Sequence, residues 1–139
     1  MSAASESIFA KIVAGQIPCH RVFESAAALA FLDINPLAEG HTLVIPKRAV
    51  ERFDELSADE AADLGRAVRE TATRVMRVTG AAGYNLLQNN GSVAGQEVPY
   101  VHFHIIPRRS ADGLGFRWLA QKSSPDALAA LAKRMMNGG

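Results

Sequence analysis

The chain has four histidines, and two of them, His102 and His104, stand one residue apart in Tyr100-Val101-His102-Phe103-His104-Ile105-Ile106. In an extended segment, successive side chains alternate between faces. Val101, Phe103 and Ile105 then share one face. Tyr100, His102 and His104 share the other, with neighbours on that row about 7 Å apart. The pattern is open to three arrangements: surface histidines on a half-exposed strand, a metal-ligating pair, or imidazoles acting as nucleophile and acid-base groups. Imidazole suits the last because near neutral pH it is both a nucleophile and a tolerable leaving group. A polar loop, Asn89-Asn90-Gly91-Ser92-Val93-Ala94-Gly95-Gln96, feeds into the row. Its backbone N–H groups and amide side chains suit an anion. An anion held beside a nucleophilic imidazole is what phosphoryl or nucleotidyl transfer requires.

Several elements must position these groups. Val101 to Ile106 reads as a strand ended by Pro107, and Tyr84 to Gln88 as another, with Asn89-Asn90-Gly91 as a turn. Ser5 to Ala14 reads as a short helix with Ser5 at its N-cap and Gly15 as its stop. Pro18 opens an extended segment through Val22 and Phe23. Leu29 to Leu32 and Thr42 to Ile45 read as buried strands, the second stopped by Pro46. Ser57-Ala58-Asp59-Glu60 has capping-box spacing. Behind it Ala61, Leu64, Val68, Thr71 and Val75 recur at helical steps, predicting one long helix to Gly80. Ser124-Pro125 opens a last helix. Short strands with one long helix and no regular strand-helix alternation favour α+β over a doubly wound sheet.

With 139 residues, 48% hydrophobic and 21% charged, the chain suits a single globular domain and excludes disordered and collagenous classes. A net charge of +1 gives no bulk attraction to nucleic acid or to a membrane surface. No apolar run approaches a membrane span of roughly 18 residues, and the first residues lack a signal-like apolar region, so a cytoplasmic location is expected. The one cysteine, Cys19, excludes an internal disulfide and any Cys-x-x-Cys metal site.

The run Gly95-Gln96-Glu97-Val98-Pro99-Tyr100-Val101-His102-Phe103-His104-Ile105-Ile106 resembles the signature of the histidine-triad (HIT) superfamily, His-φ-His-φ-His-φ-φ with φ apolar. Ile8-Phe9-Ala10-Lys11-Ile12 through Ile17-Pro18, Phe31 to Pro36, and Gly40-His41-Thr42 to Lys47 resemble its other ordered motifs. The resemblance covers roughly residues 7 to 118, with a C-terminal helix about 125 to 137 beyond it, and is nearest the Hint-like bacterial branch. It implies an α+β HIT-like fold, a five-stranded antiparallel sheet with helices, joined to a second sheet across a homodimer.

Position by position, the resemblance implies His102 as the nucleophile toward the α-phosphate of a purine nucleotide, forming a nucleotidyl-imidazole. His104 belongs with phosphate and leaving-group contacts, and His41 stands behind it. Asn89 and Gln96 match polar residues at the phosphate, with Gly95, Glu97 and Val98 in the same loop. Asp33 matches the residue that binds ribose hydroxyls. Phe9, Ile12, Ile17, Phe31 and Ile34 match the apolar wall at the base. Trp118, in the segment after the triad, matches a position near the partner's pocket. Three positions depart from the pattern. Tyr100 replaces the first His, Glu97 stands where Ser is common, and Ser7, Ala10, Ala49 and Tyr100 stand where many bacterial relatives carry zinc ligands. No cofactor or metal is expected. The implied activity is hydrolysis of nucleoside phosphoramidates or related conjugates. A non-catalytic nucleotide- or partner-binding dimer, and a metal hydrolase using His102, His104 and a ligand such as His41, are the alternatives.

Overall fold

The computed structural model describes residues 2–138. Two helices and five strands build its core. They are α1 (Ile8–Val13), β1 (Arg21–Glu24), β2 (Ala28–Leu32), β3 (Thr42–Pro46), α2 (Ala58–Thr79), β4 (Gly83–Gln88) and β5 (Phe103–Arg108). A third helix, α3 (Pro125–Met136), follows. The strands form one antiparallel sheet in the order β1-β2-β3-β5-β4. This is the α+β architecture expected.

The alternation of β2, β3 and β5 divides the core into two layers. Ala28, Ala30, Val44 and Ile105 point to one face and pack against Leu64, Ala67, Val68, Ala72 and Val75 of α2. Leu29, Phe31, Leu43 and Ile45 point to the other, where they meet Phe9 and Ile12 of α1 and the ring of Tyr100. His104 lies opposite Leu43 on β3 and Leu87 on β4, so the strand register puts it on the α1 face.

Helix α2 begins and ends as its sequence dictates. The Ser57 hydroxyl accepts the Glu60 N–H, the Glu60 carboxylate accepts the Ser57 N–H, and Gly80 closes the helix at φ 63°. Helix α1 is shorter than expected. Its N-cap is Ser7, whose hydroxyl accepts the Ala10 N–H, while Ser5 is tied into a preceding turn with Ser2. Strand β5 begins at Phe103, two residues later than expected, because the Val101 N–H leaves the ladder to bond the Val50 carbonyl. Strand β3 ends at Pro46, as expected, whereas β5 runs one residue past Pro107 to Arg108. α3 ends one residue before the predicted 137.

Candidate active site

Between α1 and the α1 face of the sheet lies a cavity of about 440 Å³. Of the residues assigned to nucleotide contact or catalysis, Phe9, Ile12, Ile17, Phe31, Asp33, Ile34, His41, Asn89, Gly95, Glu97, Val98, His102 and His104 line it. Gln96 does not. Its Oε1 accepts the Gly91 N–H at 2.7 Å and its Nε2 donates to the Glu51 carbonyl at 2.8 Å, so it fastens the loop from behind. Gly91 and Gly95 take φ of 92° and 96°, a backbone that favours glycine. Among the described residues the Asn89 side-chain amide makes no hydrogen bond, which leaves its donors and acceptor for a ligand in the cavity.

The backbone assigns the imidazole protons. His102 Nδ1 lies 2.6 Å from the Tyr100 carbonyl oxygen. A carbonyl only accepts, so Nδ1 carries the proton and Nε2 keeps its lone pair. Burial lowers the pKa of His102 and so favours the neutral ring. Phe9 packs edge-on against this ring at 5.1 Å between centroids. His41 Nδ1 accepts the Leu37 N–H at 3.0 Å, which puts the His41 proton on Nε2. That N–H points at His104 Nδ1, 2.9 Å away, and so leaves the His104 proton on Nε2. Burial lowers the pKa of His41, and burial with the neighbouring rings of His102 and His41 takes His104 down to about 4. Both rings are neutral at pH 7, and His104 offers an N–H to an oxygen in the cavity. Asp33 Oδ2 lies 3.6 Å from His41 Nε2, and its Oδ1 accepts the Asn35 N–H at 2.8 Å.

Tyr100 shares the sheet face of the histidines but not the cavity. It is fully buried, and its hydroxyl donates to the Pro46 carbonyl at 2.6 Å. Burial pushes its pKa up to about 12. Its main contribution to the site is the carbonyl that orients His102, a role that a side-chain motif does not display. The positions matching a structural zinc site do not fit the ion. Ser7 Oγ is committed to the Ala4 carbonyl and the Ala10 N–H, Ala10 and Ala49 carry no donor atom, and the Tyr100 hydroxyl is committed to Pro46.

Among the described residues, the potential ligand atoms that do cluster belong to Asp33, His41 and His104, all within 4.8 Å of one another. This set shares His41 and His104 with the alternative metal site of His102, His104 and His41, with Asp33 in place of His102. A cation there would have to displace the Nε2 proton that Leu37 fixes on His41. Sequence reading also missed Leu37 itself, Leu43 and Leu87, which line the cavity. The leucines on β3 and β4 could have been found only from strand register. Ile8 is half-exposed on the cavity wall. Trp118 is 90% exposed, so it does not anchor the core of this chain.

The HIT domain family matches residues 14–111, and the chain belongs to this family. It is 45% identical over 129 residues to the adenosine 5'-monophosphoramidase hnt1 of Schizosaccharomyces pombe, covering 92% of this chain and 94% of that protein. A HIT family protein from Bacillus anthracis has a similar structure, with a TM-score of 0.92 at 37% identity, over 98% of this chain and 99% of that one. A histidine triad nucleotide-binding protein from Candida albicans gives a TM-score of 0.85 at 37% identity, over 96% of each chain.

Proposed function

We propose that this protein hydrolyses purine nucleoside phosphoramidates and related nucleotide conjugates through a nucleotidyl intermediate on His102. The observation that carries the reading is the Tyr100 carbonyl on His102 Nδ1, which leaves a neutral imidazole with its Nε2 lone pair free beside a cavity. The base would lie against Phe9, Ile12, Phe31 and Ile34, and the ribose hydroxyls against Asp33. Asn89, the loop N–H groups and His104 Nε2–H would take the phosphate oxygens. In the first half-reaction, His102 Nε2 bonds to phosphorus as the phosphorus–leaving-group bond breaks. A leaving amine takes that electron pair and one proton from water. In the second, water bonds to phosphorus and gives up a proton, and the pair in the phosphorus–imidazole bond returns to Nε2. The Tyr100 carbonyl favours the intermediate, because attack at Nε2 puts positive charge on the ring.

The name of the Schizosaccharomyces pombe relative supports this choice of substrate. We place the chain in the Hint-like bacterial branch, with Tyr100 at the first triad position. We also propose a homodimer through the free edge of β4, where Tyr84 and Leu86 are exposed beside an apolar groove against α2. The direct test is His102→Asn assayed with adenosine 5'-phosphoramidate. Turnover should fall by about 10³-fold or more while nucleotide binding stays within about threefold. Near-normal turnover would refute the assignment.

A further inference from the structure

The charge of the cavity bears on what the leaving group carries. Among the described residues, the cavity wall holds the carboxylates of Asp33 and Glu97 and neither a lysine nor an arginine. Its imidazoles have their protons fixed in neutral tautomers by the Tyr100 carbonyl and the Leu37 N–H. Asp33 is engaged with the Asn35 N–H and faces His41. Glu97 is exposed and has no ion-pair partner among the described residues. Its backbone is nonetheless fixed, because it follows Gln96, which is anchored on both sides. The field of its carboxylate reaches the His102 ring. In an in-line attack the leaving atom lies only about 5 Å beyond the attacking nitrogen, well inside a Debye length.

We propose that Glu97 selects the charge of the leaving group, so that the site favours nucleoside phosphoramidates whose leaving amine bears a further positive charge and disfavours anionic leaving groups. This rests on the function proposed above and adds no step to it. The His102 Nε2–phosphorus bond forms, the phosphorus–nitrogen bond breaks, and the amine departs with that electron pair and one proton from water. A polyphosphate or sulfate leaving group would add negative charge to a wall that has no cation to meet it. An ammonium group on the leaving amine would find an unpaired carboxylate.

The test uses three adenosine 5'-phosphoramidates made from one alkylamine chain ending in an ammonium, a hydroxyl or a carboxylate group. The wild-type protein should prefer the ammonium to the carboxylate compound by about 30-fold in kcat/KM at low salt, and less at 0.5 M salt. In Glu97→Gln the ratio should shrink to about threefold, and in Glu97→Lys it should reverse. The ratio is read within each variant, so a common effect on rate cancels. Equal turnover of the three by wild type, or an unchanged ratio in Glu97→Gln, would overturn this proposal alone. No turnover of any of them by wild type would overturn the parent reading, and this proposal with it.

Discussion

Replacing Tyr100 with Phe should separate stability from activity. The change removes one oxygen and leaves the ring, which packs edge-on against Phe9 at 6.0 Å between centroids. The lost bond is the 2.6 Å contact to the Pro46 carbonyl, made by a fully buried side chain. Leaving a buried carbonyl without that partner costs about 1 to 3 kcal/mol. For a domain of this size that lowers Tm by about 3 to 10 °C. The group that orients His102 is the Tyr100 backbone carbonyl, which the substitution does not touch. Both kcat and KM should therefore stay within about threefold of wild type. The assay pairs thermal unfolding with steady-state hydrolysis of adenosine 5'-phosphoramidate. If kcat collapsed to the level of His102→Asn while Tm held, the phenol would have a direct chemical role and the reasoning would fail.

Lowering the pH should destabilise the fold. Burial depresses the pKa of His104 to about 4, against about 6.5 unfolded. The unfolded chain therefore binds more protons between those values. The stabilising contribution is complete above about pH 6.5 and declines as the pH falls to about 4, which urea midpoints across that range will show. Gln96→Ala should destabilise by about 2 kcal/mol through two lost hydrogen bonds, one buried and one part-buried, with KM for adenosine 5'-phosphoramidate raised several-fold, read from urea unfolding and steady-state rates. Gly40→Ala should cost about 1 to 3 kcal/mol in urea unfolding. Gly40 has φ of 89°, and an added Cβ would lie 2.6 Å from Thr79 Cγ2.

The period-two alternation of side chains made the catalytic face legible, because β5 obeys it: His104 lies on the α1 face and Ile105 on the α2 face. His102 was legible as a residue type, but the strand does not hold it. It precedes β5 and is oriented by a carbonyl two residues back. Helix α2 could be read from end to end because its caps are local chemistry. The roles of Gln96 and His41 were not visible in their surroundings. Gln96 bonds a carbonyl 45 positions away, and His41 meets a ring 63 positions away. Contacts that distant leave no local periodicity. For His41 the family resemblance supplied what spacing does not; for Gln96 it implied a phosphate contact, where the side chain instead anchors the loop to Gly91 and Glu51. Ser5 and Ser7 are both plausible caps, and the choice between them depends on the preceding turn, where Ser5 bonds Ser2.

The proposed mechanism passes through a covalent nucleotidyl bond to one nitrogen. Wild-type protein mixed with adenosine 5'-phosphoramidate labelled in the phosphate, then quenched in alkali within milliseconds, should yield a labelled peptide containing residues 101–104, with the adduct on His102 Nε2. An adduct found only on His104 or His41, or steady turnover with no adduct at any quench time, would contradict the account.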